Sequence, residues 1–231
     1  AEVCKDAFNS LVLPPEITLD VIEEDGPVGF GHALNQGIMH AANTGGLPKY
    51  VVIYNDDLHP VSGWLESMIQ TFKADHYHLA VAAPSGPDAT ERPRFMRTDA
   101  DRVGMVGPVT NCAAGFQQVL QSKSSKNLTS ARNGYDQFAA QWREGQGDII
   151  FLTEFLSGYC WMWDRDCLID LMLKTDDGKS FYGPFDGDQF PVAGYEDNDV
   201  CHRAVNCGWR LAVDYTNFIG HDGHQTFDNH F

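Results

Sequence analysis

The chain has 231 residues, 43% of them hydrophobic and 21% charged, which suits a globular domain large enough for one sizeable core. Thirty-two acidic residues against 16 basic ones give a formal charge of −16, a field that repels a phosphate backbone and so excludes nucleic acid as the partner. No run approaches the ~18 apolar residues of a membrane span, and the N-terminus lacks the basic and apolar regions of a signal peptide. The cysteines (Cys4, Cys112, Cys160, Cys167, Cys201 and Cys207) form no C-x-x-C pair and mostly lie in apolar segments. They are expected to be reduced, buried thiols in a cytoplasmic protein.

Residues 1–12 carry Val3, Ala7, Phe8, Leu11 and Val12 on one helical stripe, and Pro14-Pro15 ends it. The first residue is Ala and this helix reads as already under way, as in a fragment or a processed chain. Ile17–Ile22 alternates apolar and polar side chains and predicts a strand. Gly26, Gly29 and Gly31 then lead into a helix through Ala33, Leu34, Ile38, Met39 and Ala42, which Gly45-Gly46 closes. Their spacing is G-x-x-G-x-G with no following Lys-Ser/Thr, which does not support a dinucleotide or P-loop site.

Val51-Val52-Ile53-Tyr54 is a short β-branched and aromatic run that predicts a parallel strand buried on both faces. It stops at Asn55-Asp56-Asp57, and Pro60, Ser62 and Gly63 precede a helix beginning near Trp64. Two adjacent carboxylates at the end of such a strand sit where open α/β sheets bind ligands. They form either a solvated turn or a site where a cation or hydrogen-bond donors offset their repulsion.

Further strands are predicted at Leu79–Ala83 and Val103–Val109, with an exposed loop over residues 84–102. Residues 121–132 are rich in Ser, Lys and Asn and suggest a mobile lid, followed by a helix over Tyr135–Arg143. The apolar runs Ile149–Leu156 and Tyr159–Trp163 are interrupted by Ser157-Gly158, and Asp166–Leu173 reads as a helix. After a turn at Gly183–Asp186 come a helix over Glu196–Cys207 and strands at Leu211–Val213 and up to Gly220-His221. Strands and helices alternate, the pattern of an α/β fold.

Tyr195-Glu196-Asp197-Asn198-Asp199 opens the last helix. Acidic residues in a first turn are ordinary cap and dipole chemistry. The alternative places Asp197 or Glu196 in the same cleft as Asp57, accepting a proton from a nucleophile. Arg203 can pair with one of these carboxylates at helical spacing. His221 ends an apolar strand and is either a surface histidine or a neutral imidazole joining a carboxylate on a divalent ion. The aromatic residues Trp161, Trp163 and Tyr195 read as sugar-stacking faces or as core.

Six segments in order resemble family 2 glycosyltransferases of the nucleotide-diphospho-sugar (GT-A) fold. They are Gly29-Phe30-Gly31 with Ala33–Gly37; Tyr54–Asp57 followed by Pro60 and Gly63-Trp64-Leu65; Val106-Gly107-Pro108 with Asn111; Phe155–Gly158; Phe185-Asp186, Phe190, Glu196–Asp199 and Arg203; and His221-x-Gly223 with Thr226-Phe227. The third, fifth and sixth are similar to one bacterial and phage branch.

The resemblance implies a mixed, mainly parallel sheet flanked by helices in one domain over 1–231. The donor and metal half would run to about residue 110 and the acceptor half from about 111. Family members begin with two further strands, so the chain is expected to be N-terminally shortened. An open sheet edge beside Ile17–Ile22 would then admit a second copy.

The implied function is metal-dependent transfer of a sugar from a nucleotide-diphospho-sugar to a carbohydrate or other hydroxyl acceptor. Asp57 and His221 would hold Mn²⁺ or Mg²⁺, and their side chains are expected within roughly 4 Å of one another. Asp56, Asn35 and Gly29 would face the donor. Asp197 would be the general base of an inverting reaction, with Glu196 the neighbouring catalytic candidate. Trp161, Tyr195 and Gly158 would lie on the acceptor side. The competing reading is a non-catalytic carbohydrate- or nucleotide-binding domain derived from such an enzyme.

Overall fold

A computed structural model describes residues 20–22, 28–74, 77–79, 95–96, 102–119, 132–146, 149–192 and 194–222. The predicted helix over 1–12, residues 80–83 of the predicted strand and the proposed lid up to residue 131 lie outside them. Of the strand expected at Ile17–Ile22, only Asp20–Ile22 are described; they are irregular and exposed.

The first described helix, α1 (Phe30–Thr44), closes at Gly45, whose N–H donates to the Ala41 carbonyl. Gly46 then turns the chain through a positive φ of 77°. Next come β1 (Tyr50–Tyr54), β2 (Leu58–His59), α2 (Trp64–Thr71), β3 (Tyr77–Leu79), β4 (Phe95–Met96) and β5 (Val103–Val109). A 3₁₀ turn at Gly115–Gln117 precedes α3 (Arg132–Gln146), β6 (Ile150–Thr153), β7 (Cys160–Asp164) and α4 (Arg165–Asp170). The chain continues through β8 (Leu173–Lys174), β9 (Phe181–Gly183), α5 (Glu196–Asn206), β10 (Arg210–Phe218) and β11 (Gly220–His221). No helix among the described residues is long and apolar enough to cross a membrane.

Seven strands form the main sheet in the order β1-β7-β5-β10-β6-β3-β4. β7 pairs antiparallel with both β1 and β5, whereas β5 and β10 are parallel. It follows that β1, β5 and β10 point the same way, and their C-terminal ends share one edge of the sheet. This edge carries the site.

Two elements differ from the expectation. β1 pairs antiparallel with β7 from Tyr50↔Asp164 to Tyr54↔Cys160 and is the terminal strand among the described residues. Only its Ile53 is fully buried. β-branched composition reports a pleated, packed surface and does not report the direction of the neighbouring strand. Near the C-terminus, the two predicted strands are largely one, β10. Its pairing with β5 shifts between Asp214↔Pro108 and Phe218↔Val109. Pro108 has no N–H to give the ladder, so the irregularity falls where a hydrogen bond is unavailable.

Period-2 alternation divides the strands between two apolar layers. Trp161 and Trp163 of β7 and Leu211 and Val213 of β10 pack on one face with Ile38 of α1, Ala139 of α3, Leu168 of α4 and Val200 of α5. Cys160 and Met162 of β7 and Ala212 of β10 pack on the other face with Met68 of α2. All five residues of β7 are buried. Cys160, Cys167 and Cys201 are buried free thiols, Cys112 is half-buried and Cys207 is exposed. Burial pushes the Cys160 and Cys201 thiols up to about 12, which makes them inert apolar filler at neutral pH.

Candidate active site

Each of the three co-directional strands ends in a polar residue of the site. β1 runs into Asn55-Asp56-Asp57, β5 into Thr110-Asn111-Cys112, and β10 through Ile219 into β11. β11 leaves the main sheet and pairs with β2, matching His221 to Leu58 and Gly220 to His59. Asp57 directly precedes β2, so this short ladder brings Asp57 and His221 together despite their separation in sequence. His221 Nε2 stands 3.3 Å from Asp57 Oδ1, with both side chains largely buried. The Asp222 N–H also donates to the Asp57 carbonyl at 3.1 Å.

The imidazole of His221 is held on several sides. Its Nδ1 lies 2.6 Å from the Cys112 carbonyl. Its ring stacks on Tyr159 with centroids 5.2 Å apart. Both backbone polar groups of His221 are bound by the Asn111 side chain. Burial pushes the imidazole pKa down. Hydrogen bonding to Asp57 and to the Cys112 carbonyl, with the charges of Asp57 and Asp222, pushes it up, and the balance lies above the ordinary histidine value. Around the pair, His59 Nε2 lies 3.0 Å from Asp222 Oδ2, and the Tyr135 hydroxyl donates to Asp222 Oδ1 at 3.3 Å.

A carboxylate and an imidazole in contact fit a divalent cation. With Nδ1–H given to a carbonyl, Nε2 is the nitrogen that faces Asp57: protonated it donates to the carboxylate, and deprotonated its lone pair would serve a cation held between the two, the usual arrangement of a ligating histidine. Among the described residues, no group of three or more His, Cys, Asp or Glu side chains could hold a metal by itself. Two protein ligands match the way Mg²⁺ and similar ions are held jointly by protein and substrate phosphate. Asp56 is exposed in the turn beside the pair.

The second acidic cluster connects to the first through Gly158-Tyr159. The Gly158 N–H donates to Asp197 Oδ2 at 3.3 Å. One residue on, the Tyr159 carbonyl accepts from the Asn55 N–H at 3.0 Å, and the Tyr159 ring lies under His221. Consecutive Cα atoms are ~3.8 Å apart, so one dipeptide contacts Asp197 on one side and the Asp57–His221 pair on the other. Buried Gln117 braces it: its Oε1 accepts from the Ser157 N–H at 2.6 Å, and its Nε2 donates to the Pro108 carbonyl at 2.9 Å.

The carboxylates at the start of α5 differ in surroundings. Arg203 Nε donates to Asp199 Oδ2 at 2.8 Å, and its other nitrogens bind the Leu171 and Pro184 carbonyls. Asp199 is thereby structural. Asp197 keeps a partly accessible carboxylate, whose Oδ1 accepts from the Asn198 N–H at 2.8 Å. It is not the cap, since the N-cap is Tyr195 in the left-handed region at φ 71°. Tyr195 is 73% exposed, and a non-glycine residue in that region stores strain of about 1–3 kcal/mol, typical of functional sites. Glu196 is only 8% exposed, and its Oε2 has no hydrogen-bond partner among the described residues. Burial holds its carboxyl above the usual carboxylate range; its own N–H opposes this and the Asp197 charge adds to it.

Three expected site residues have other work. Asn35 is 4% exposed; its Nδ2 donates to the Phe185 carbonyl at 2.6 Å and its Oδ1 accepts from the Phe185 N–H at 3.0 Å. One N–H and one oxygen lone pair of the amide are thereby directed at the loop after β9. Gly29 has φ 80°, and a Cβ there would stand 2.2 Å from the Pro191 carbonyl oxygen. Its missing side chain admits the backbone of Pro191. Trp161 is fully buried and stacks on Phe185 at 5.8 Å with an interplanar angle of 5°. Truncating a core Trp costs about 3–5 kcal/mol, a large part of a domain's typical 5–15, so Trp161 is a structural residue and not an acceptor-side one. Gly158 and Tyr195 remain at the surface by Asp197. Asn111, Gln117, Tyr159 and Asp222 were not singled out as site residues, because side chain–backbone clamps have no sequence period to reveal them.

Comparison with known families matches residues 2–167 to Glycosyl transferase family 2, and the chain belongs to that family. Neither the curated proteins nor the solved structures gave a match. Membership carries the GT-A fold, in agreement with the α/β architecture, and transfer of a sugar from a nucleotide-activated donor to an acceptor. The matched segment contains Asp57, Asn111 and Gly158 and stops short of Glu196, Asp197 and His221.

Proposed function

We propose that the protein is a divalent-cation-dependent, inverting glycosyltransferase using a nucleotide-diphospho-sugar, with Asp57 and His221 as protein ligands and Asp197 as general base. The carrying observation is the Gly158-Tyr159 junction, which ties Asp197 to one side of the Asp57–His221 pair. Asp197 accepts the proton of the acceptor hydroxyl as its oxygen attacks the anomeric carbon, while the bond from that carbon to the diphosphate oxygen breaks. Gly158 N–H and Asn198 N–H orient the carboxylate for this task. A bound Mn²⁺ or Mg²⁺ would neutralise charge growing on the leaving diphosphate. Asp56, exposed beside the pair, contacts the donor ribose or a bound water. Tyr195 presents an aromatic face to an acceptor sugar next to Asp197.

One observation favours a second reading, a binding domain without transfer: Asn35 and Gly29 both make close contacts within the chain, and Asp56 is the expected donor residue that stands exposed in the turn. Calorimetric titration with a panel of nucleoside diphosphates, with and without Mn²⁺, tests the main reading. It predicts binding that requires Mn²⁺ and is lost in Asp57→Asn. Metal-independent binding, unchanged in Asp57→Asn, would refute it.

A further inference from the structure

We propose that Asn111 is a positioning residue that sets His221 for cation binding: its side chain, with the neighbouring Cys112 carbonyl, fixes the histidine so that only Nε2 is left to face Asp57. The proposal rests on the cation reading of the Asp57–His221 pair.

The need for such a residue follows from the topology. β5 and β10 run side by side as far as Val109, whose carbonyl accepts from the Ile219 N–H at 2.9 Å. One residue later the ladder ends, because the backbone of Thr110 is taken elsewhere. Its N–H donates to the Gln117 carbonyl at 2.8 Å, and its carbonyl accepts from the Val119 N–H at 3.0 Å. The outer side of β11 is thereby left without a strand partner at the residue that must be placed most accurately. Asn111 supplies the missing rung from its side chain. Its Nδ2 donates to the His221 carbonyl at 2.8 Å, and its Oδ1 accepts from the His221 N–H at 2.8 Å.

The amide orientation is set by its surroundings. Oδ1 also accepts from the Thr110 hydroxyl at 3.3 Å, so two donors converge on the oxygen and one carbonyl faces the nitrogen. Asn111 is 3% exposed, which removes water as a substitute partner. Together, Asn111 and Cys112 make three hydrogen bonds to His221: to its N–H, its carbonyl and its Nδ1. Leu58 pairs with the opposite edge of the same residue. An imidazole fixed in backbone, tautomer and ring plane approaches a cation without having to be ordered first.

Titrating Mn²⁺ into the protein and following the free ion by electron paramagnetic resonance tests this in four forms: wild type, Asn111→Ala, His221→Ala and the double variant. Asn111→Ala is expected to weaken Mn²⁺ binding about 10–100-fold, the usual effect of removing an outer-sphere partner. In the His221→Ala background the same substitution is expected to change Mn²⁺ binding by less than about twofold, because Asn111 acts through the histidine. A purely architectural Asn111 would instead weaken binding in both backgrounds, and that result overturns the proposal. Unchanged affinity in Asn111→Ala also overturns it. A wild type that binds no Mn²⁺ either alone or with a nucleoside diphosphate present refutes the cation reading and this proposal together, so the two failures are distinct. If the alanine form does not fold, Asn111→Ser, which keeps one hydroxyl at the clamp, answers the same question by the same readout.

Discussion

Asparagine serves twice in this chain as a detachable piece of backbone. Asn35 binds the N–H and carbonyl of Phe185, and Asn111 does the same for His221. The first clamp holds a loop against α1, and the second holds a site residue. For Asn35 the consequence is measurable. Asn35→Ala leaves two buried backbone groups without partners, at about 1–3 kcal/mol each. Chemical denaturation should therefore show a loss of roughly 2–6 kcal/mol, while nucleoside diphosphate affinity of the folded fraction stays unchanged. A variant of wild-type stability with weakened nucleotide binding would return Asn35 to the donor site. Nothing in the sequence separates the two asparagines, since each follows a glycine-containing segment. Only the partner residue, 150 positions away for Asn35 and 110 for Asn111, distinguishes them.

Among the described elements, β10 is the longest strand and carries a buried acid. Asp214 is 2% exposed and accepts from the Ser67 hydroxyl at 2.6 Å and the Thr216 hydroxyl at 2.9 Å. Burial raises its carboxyl above the ordinary aspartate value, and these hydrogen bonds only partly oppose the shift. The folded state then holds a proton that the unfolded chain has released, so the stability contributed by this group is fully present below the unfolded value of about 3.9 and is lost as pH rises through the raised folded value. Glu196 contributes in the same direction. Urea unfolding at a series of pH values should show this decline in the wild type and a shallower one in Asp214→Asn. Equal slopes in the two proteins would contradict the assignment. The element boundaries were the more legible part of the fold: the limits of β5 and the start of α5 stand as the apolar periodicity predicts them. The direction of β1 was hidden, because its partner β7 lies more than 100 residues later and leaves no local trace.

Across the whole molecule, one topological fact makes the site. β1, β5 and β10 point the same way, so chain segments around residues 57, 111 and 221 meet at one sheet edge. The contact between Asp57 and His221 was readable because acidic turns and histidines after apolar strands carry chemistry in their residue type. The supporting shell was not, because Gln117, Tyr159 and Asn111 act through geometry created only on folding. Trp161 was misleading for the opposite reason: an aromatic residue in an apolar strand serves a sugar face or a core equally well until its neighbours are known. Its stacking on Phe185 decides for the core.

The central claim is that the two acidic clusters form one site with divided roles, and steady-state kinetics of two variants test it most directly. With a nucleotide-diphospho-sugar donor, using donor hydrolysis as the first assay, Asp197→Asn should reduce turnover by about 10²–10⁴-fold with donor affinity nearly unchanged. Asn keeps an oxygen for the Gly158 N–H, so little stability should be lost. Asp57→Asn should instead lose Mn²⁺-dependent donor binding and turnover together. Near-full transfer by Asp197→Asn, or an Asp57→Asn variant that binds donor with wild-type metal dependence, would contradict the account.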